Sequence, residues 1–353
     1  MAGGTGTRFW PESRLKKPKQ FLQLVGNQTM LQSTVSRISS MIKPQNILVV
    51  TNSGYMSLVQ EQLPDLPKEN IIGEITGKNT APCVASATAI ILERNPDASM
   101  VVLPSDHYIR EEKKFLKTIE AGFAKAENDH CLVTIGITPT RPETGYGYIQ
   151  TDDKSKHTVS GSDVFKVKTF AEKPDLQTAV MFLESGDFLW NSGMFIWRAA
   201  DIWKNFELHL PVVYSDAVKL KSELKTDPQS AIDTFYQDVD SISVDYGIME
   251  KADTVFVLPG SFGWNDVGSW MAIYELEEKQ KEGNVVRSGE ALFENSQNCF
   301  VSSTSQKLIT MVGLQGVGIV ETDDAILVCR MDKAQDVRGI VKQLENPDYE
   351  KYR

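Results

Sequence analysis

The chain has 353 residues, enough for one large domain and a small one, and its 41% hydrophobic and 24% charged residues are ordinary for a globular protein. Its 37 Lys and Arg against 47 Asp and Glu leave a net charge of −10, which argues against a nucleic-acid-binding surface. Cys83, Cys131, Cys299 and Cys329 are far apart and lack metal-ligand spacing, which predicts reduced thiols; there is no signal peptide and no apolar run of membrane-spanning length, so the cytoplasm is the expected compartment and no membrane is an expected partner.

The first element is Gly3-Gly4-Thr5-Gly6-Thr7-Arg8-Phe9-Trp10-Pro11. Three glycines within four residues let the backbone turn its N–H groups onto a ligand without a Cβ in the way. Five cations follow or lie in the stretch, Arg8, Arg14, Lys16, Lys17 and Lys19, against one acid, Glu12. This predicts a polyphosphate cradle. A Walker loop fits worse because no Lys-Ser/Thr follows at the required spacing, and a dinucleotide fingerprint is disfavoured because Phe9 stands where its last glycine belongs. Such a loop leaves the carboxyl end of a buried strand, yet only Met1 and Ala2 precede Gly3; the expectation is a start assigned at an internal methionine.

A helix is predicted over Thr29 to Ile38, a strand at Ile47-Leu48-Val49-Val50, a helix from Tyr55 to Gln62 and a strand opening at Ile71-Ile72. This βαβ rhythm predicts an α/β, Rossmann-like, mostly parallel sheet with its site along the carboxyl edge. Next, Thr80 is expected to cap a helix running to Arg94, with Pro82 in the first turn. Glu74, Lys78 and Asn79 before it supply an acceptor, a cation and an amide able to read a base edge and a phosphate. The strand Met100-Val101-Val102-Leu103 delivers Asp106, either a turn aspartate beside Pro104 or a carboxylate ligand for Mg²⁺.

After a helix over Lys113 to Ala126 and a strand over Leu132 to Ile137, Gly145-Tyr146-Gly147-Tyr148 predicts a bend that can hydrogen-bond a sugar beside an aromatic face. A strand over Val164 to Phe170 delivers Glu172 and Lys173, and Phe188-Leu189-Trp190 brings in Asn191. Taken singly these are capping or turn residues; together they can grip hydroxyls and a phosphate. Ala199 to Phe235 reads as helical, Ser243 to Lys251 contains Asp245, and Trp264 to Trp270 contains Asp266. Past Gly283 short β-type runs recur at 299–301, 308–312, 318–320 and 325–328 before a helix over 333–344. The expected domains are a catalytic one over 1–282 and a small β-helix-like one over 283–353, a lid or assembly surface without chemistry.

Gly-Gly-x-Gly-Thr-Arg followed by Pro18-Lys19 resembles the signature of the sugar-nucleotide pyrophosphorylases, and further matches reach Trp270, roughly three quarters of the chain. The resemblance implies the nucleotide-diphospho-sugar transferase fold. Phe9-Trp10-Pro11, Pro18-Lys19-Gln20-Phe21-Leu22 and Lys78-Asn79-Thr80-Ala81-Pro82 resemble the branch that joins GTP to mannose 1-phosphate. By the same resemblance Gly3, Gly4, Gly6, Thr7, Arg8 and Lys19 hold the triphosphate, and Glu74, Lys78, Asn79, Thr80 and Pro82 line the nucleotide site. Gly147, Glu172, Lys173, Asn191 and Asp245 take the sugar phosphate, and Asp266 joins Asp106 on Mg²⁺. Arg8, Lys19, Asp106 and Asp266 would then be the catalytic set. Nothing resembles the added isomerase domain of longer relatives. The alternatives are a pyrophosphorylase for another pair, such as glucose 1-phosphate with UTP or dTTP, a non-catalytic sugar-nucleotide sensor, and a nicotinamide dehydrogenase. A homodimer through the C-terminal section is the expected assembly.

Overall fold

A computed structural model describes residues 1–4 and 6–353, so Thr5 of the glycine stretch lies outside the described residues. The chain divides into two compact units, each assembled from separate segments. The larger comprises Met1–Gly3, Arg37–Pro104 and Ile109–Trp264, and the smaller Gly4–Ser36, Ser105–Tyr108 and Asn265–Arg353.

In the larger unit β1 (Val49–Asn52) and β2 (Ile71–Glu74) pair in parallel, Val49 opposite Ile71 and Asn52 opposite Glu74. A six-stranded sheet is built from β3 (Ser99–Val102), β4 (Leu132–Ile137), β5 (Tyr148–Val159), β6 (Ser162–Ala171), β7 (Phe188–Arg198) and β8 (Val255–Gly260), in the order β3-β7-β4-β8-β6-β5. The pairings set β3, β4, β8 and β5 in one direction and β7 and β6 in the other, so four of the six strands run the same way, β4 and β8 pair in parallel, and β7 is inserted antiparallel between β3 and β4. Every residue of β4 is buried, which is why it reads as an unbroken apolar run. The Met1 ammonium donates to the Leu103 carbonyl at 3.0 Å, and the Ala2 N–H to that of Val50 at 2.7 Å, so these two residues lie between β1 and the end of β3.

The Ala199–Phe235 stretch resolves into three helices, Ala199–His209, Pro211–Glu223 and Pro228–Asp238, the second and third opening on a proline whose missing N–H is harmless there. The cap of the helix Thr80–Arg94 corrects the expectation for Thr80. Asn79, at φ 69°, stands at the N-cap and accepts from the Thr80 N–H, while the Thr80 hydroxyl accepts from the Val244 N–H at 2.8 Å.

In the smaller unit six strands form coils: β9 (Val285–Ser288), β10 (Glu290–Glu294), β11 (Phe300–Ser303), β12 (Leu308–Val312), β13 (Val317–Glu321) and β14 (Ile326–Arg330). Val285 faces Phe300, which faces Gly318, and Glu290 faces Leu308, all in parallel, so each coil stacks on the one before; β14 closes the stack antiparallel. A helix over Val337–Gln343 follows. The apolar core joins Phe9, Trp10, Leu22 and Leu24 to Trp270, Phe300 and Met331, with Phe9 edge-on to Trp270 at 5.2 Å. Segments on both sides of residue 283 therefore share one core. No helix among the described residues is long and apolar enough to cross a membrane.

Candidate active site

In the smaller unit, Gly6 has φ 56°, and a Cβ there would fall 2.2 Å from the Cβ of Lys19 and 2.9 Å from its backbone nitrogen. Only glycine lets the loop close onto Lys19. The Ser13 hydroxyl donates to the Gly6 carbonyl at 2.8 Å and the Gln20 amide to that of Gly4 at 2.9 Å, fixing the turn from both sides. Lys19 is 5% exposed. Its ammonium donates to Asp106 Oδ2 at 2.9 Å and to the Asp266 main-chain oxygen at 2.6 Å. Burial pushes the Asp106 carboxyl up, but Lys19 and then His107, 4.0 Å away, outweigh it and hold it at about 2. Beside Asp266, Val267 is held at φ 48°, with its N–H on Asn265 Oδ1 at 2.7 Å. A β-branched residue adopts that conformation only under constraint, and such strain gathers at functional sites.

The rest of the expected cationic cradle divides. Arg8 is exposed and donates to Gln335 Oε1 at 2.8 Å, and Thr7 opens the short turn Thr7–Phe9. Arg14 is not a free phosphate ligand: it donates to Asp324 Oδ1 at 2.6 Å, to the Tyr352 carbonyl at 2.7 Å and to the Pro11 carbonyl at 2.6 Å. Lys16 and Lys17 are exposed.

In the larger unit, a Cβ on Gly3 would lie 3.0 Å from Glu74 Oε2. Glu74 is 6% exposed, and burial raises its carboxyl to about 7 although a hydrogen bond with Tyr236 pulls it down. Tyr236 is fully buried, its hydroxyl 2.9 Å from Ser86 Oγ. Sequence reasoning missed this tyrosine, which sits 162 positions from Glu74 among ordinary helical neighbours and carries no local signal. Lys78 is half-buried, Asn79 exposed and Pro82 buried in the helix.

A second group in the same unit gathers Gly147, Glu172, Lys173, Asn191 and Asp245. A Cβ on Gly147 would meet Glu172 Oε2 at 2.8 Å and Asn191 Cβ at 3.4 Å. The Asn191 N–H donates to the Gly147 carbonyl at 2.8 Å, and its amide to Asp245 Oδ1 at 2.7 Å. Lys173, at φ 43°, is ion-paired with Glu172. Burial raises Asp245, opposed by the Asn191 bond. Tyr146 stands edge-on to Trp190 at 5.3 Å and to Trp264 at 5.4 Å, an aromatic wall of which only the tyrosine was anticipated. An amide, two carboxylates, an ammonium and aromatic edges are what a hexose phosphate needs.

Residues 1–283 match the Nucleotidyl transferase family, and residues 289–344 the MannoseP isomerase/GMP-like beta-helix domain. The mannose-1-phosphate guanylyltransferase of Salmonella montevideo is 40% identical over 354 residues, covering 98% of this chain and 73% of that protein. The enzyme of the same name from Klebsiella pneumoniae is 39% identical, over 100% of this chain and 75% of its own. Among solved structures, that of mannose-1-phosphate geranyltransferase from Thermus thermophilus is similar with a TM-score of 0.86, at 29% identity over 98% of each chain.

Proposed function

Because the chain belongs to the mannose-1-phosphate guanylyltransferase family and is a nucleotidyltransferase, we propose that it transfers GMP from GTP to mannose 1-phosphate in the cytoplasm, giving GDP-mannose and pyrophosphate. The observation that carries this reading is Lys19, buried behind Gly6 with its ammonium on Asp106 and on the Asp266 backbone. A cation beside the Asp106 carboxylate and the Asp266 backbone suits a triphosphate and a hard divalent ion.

The residues fit Mg²⁺. Asp106 is ionised throughout the neutral range, and Mg²⁺ asks for only one or two carboxylates, filling its octahedron with phosphate and water. Asp106 and Asp266 would hold the ion, which would supply charge neutralisation at the phosphates.

In the proposed reaction a phosphate oxygen of mannose 1-phosphate attacks the α-phosphorus of GTP in line; the new P–O bond forms as the bond to the β-phosphate breaks, and its electron pair leaves on pyrophosphate. The nucleophile is already ionised, so no general base and no covalent residue is assigned. Positioning and charge do the work. Gly3, Gly4, Gly6, Thr7, Arg8 and Lys19 are assigned to the triphosphate, and Glu74, Lys78, Asn79, Thr80 and Pro82 to the nucleoside end. Gly147, Glu172, Asn191 and Asp245 are assigned to the hexose, and Lys173 to its phosphate. Residues 1–282 form the proposed catalytic domain. The 283–353 domain is the proposed homodimer surface, on the strength of the outward Leu292, Val312 and Val328, each at least 60% exposed, and sedimentation checks it.

The test is pyrophosphate release with Mg²⁺, pairing GTP, ATP, UTP or dTTP with mannose 1-phosphate or glucose 1-phosphate. A maximum for GTP with mannose 1-phosphate is expected. A maximum for another pair keeps the transfer and replaces the substrates, whereas binding without release by the folded chain favours the sensor.

A further inference from the structure

Glu12, the single acid of the cationic stretch, is not in solution. Its Oε1 accepts from Arg287 Nη1 at 2.6 Å and from the Ser302 hydroxyl at 2.8 Å, and both members of the ion pair have side chains only 12–13% exposed. Arg287 also donates through Nη2 to the Gln23 carbonyl at 2.5 Å, and its guanidinium lies 5.8 Å from the Trp270 ring. One planar fork on β9 therefore grips the loop segment on both sides of Lys19, at residue 12 before it and at residue 23 after it. All of these residues belong to the smaller unit.

A buried ion pair is weak evidence for stability, since desolvation offsets much of the attraction, so its use here is better sought in geometry and charge. Both are present. A guanidinium presents its donors in a fixed planar array, which sets the spacing of the two strands of chain it joins. It also neutralises the carboxylate that would otherwise subtract from the positive field of Arg8 and Lys19.

Resting on the proposed triphosphate role of that loop, we infer that Arg287 is a positioning residue for the phosphate-binding loop, holding Glu12 and Gln23 so that Lys19 is presented and the acid is silenced. The β-helix-like section is thus a working part of the nucleotide site, contrary to its expected lack of any chemical role.

The experiment compares Arg287→Met, Arg287→Lys and the double variant Glu12→Gln/Arg287→Met with the unaltered chain. It reads the Kd of inorganic tripolyphosphate with Mg²⁺ by calorimetry and the KM of each substrate. Arg287→Met is expected to weaken tripolyphosphate and raise the GTP KM about tenfold, with the mannose 1-phosphate KM within about twofold. The double variant, free of the stray charge, should recover part of the loss, leaving about threefold. Arg287→Lys keeps the charge without the fork and should lie between, which covers a Met variant that fails to fold. Unchanged tripolyphosphate binding in the folded variants overturns the inference, as does an equal rise in both KM values in step with a lowered Tm. If the unaltered chain does not couple GTP to mannose 1-phosphate while the variants still lose tripolyphosphate, the substrate reading fails and the inference stands.

Discussion

Lys19 reaches Asp106 across 87 positions of sequence, ammonium to carboxylate oxygen at 2.9 Å. The acid is thereby kept ionised, and the cation is kept at the mouth of the glycine turn. Replacing Lys19 by Met should lower kcat/KM for GTP by about a hundredfold or more, the range seen when one preorganised charge is removed. Because Asp106 keeps a side chain 37% exposed, the stability loss should stay at about 1–2 kcal/mol. Steady-state kinetics with urea unfolding separates the two effects.

Gly6→Ala addresses the same lysine through sterics alone. The new methyl group would overlap the Lys19 Cβ at 2.2 Å, on a residue whose positive φ already disfavours alanine. Because backbone and Cβ must both move, a loss of about 2 kcal/mol or more is expected in urea titration, with a raised GTP KM.

Gly147→Ala should behave in the opposite sense. Its nearest obstacle, Glu172 Oε2 at 2.8 Å, ends an exposed side chain that can swing away, so unfolding should change by less than about 0.5 kcal/mol. Displacing that carboxylate should nonetheless raise the mannose 1-phosphate KM about tenfold while leaving the GTP KM alone. A shift in the GTP value instead would remove Gly147 and Glu172 from the sugar group.

Glu74 gives a pH dependence. Its carboxyl is raised from 4.5 to about 7 in the folded protein, so between those values the folded state holds a proton that the unfolded chain has lost. Stability contributed by this group is therefore full at low pH, falls as pH rises from about 4.5, and levels off above about 7, a loss of up to roughly 3 kcal/mol. Glu74→Gln cannot titrate. Its stability relative to the parent should increase from pH 5 to pH 8 in paired urea titrations, and a constant difference would show that the carboxyl is not protonated when folded.

Much of the larger unit was legible because burial on both faces writes a strand as an apolar block, as at Leu132–Ile137. The strand Tyr148–Val159 was not, since most of its length past Thr151 is half-buried or exposed and reads Asp-Asp-Lys-Ser-Lys-His, a composition that only its pairing with β6 turns into structure. The breaks in the helical stretch are marked by Pro211 and Pro228, a signal present in the sequence at the first position of each new helix. Asn79 took the cap from Thr80 because Asn tolerates a positive φ and the threonine hydroxyl had a better use 164 positions away.

The grouping of Gly147, Glu172, Asn191 and Asp245 came from family resemblance; nothing in their spacing brings them together. Arg14 shows the converse. Its place in a basic stretch suggested a phosphate ligand, whereas its partners Asp324 and Tyr352 lie 310 and 338 positions away and cannot be read from local composition.

The shared core of the smaller unit also orders events in time. The Trp270 indole donates to the Trp10 carbonyl across 260 residues, and Phe9 packs on the same ring. At about 5–20 residues per second, the ribosome needs roughly 13–50 s to make that intervening chain. Throughout that interval Phe9 and Trp10 have only near neighbours such as Leu22 and Leu24 to pack against and lack Trp270 and every later partner, so this segment completes its native contacts late.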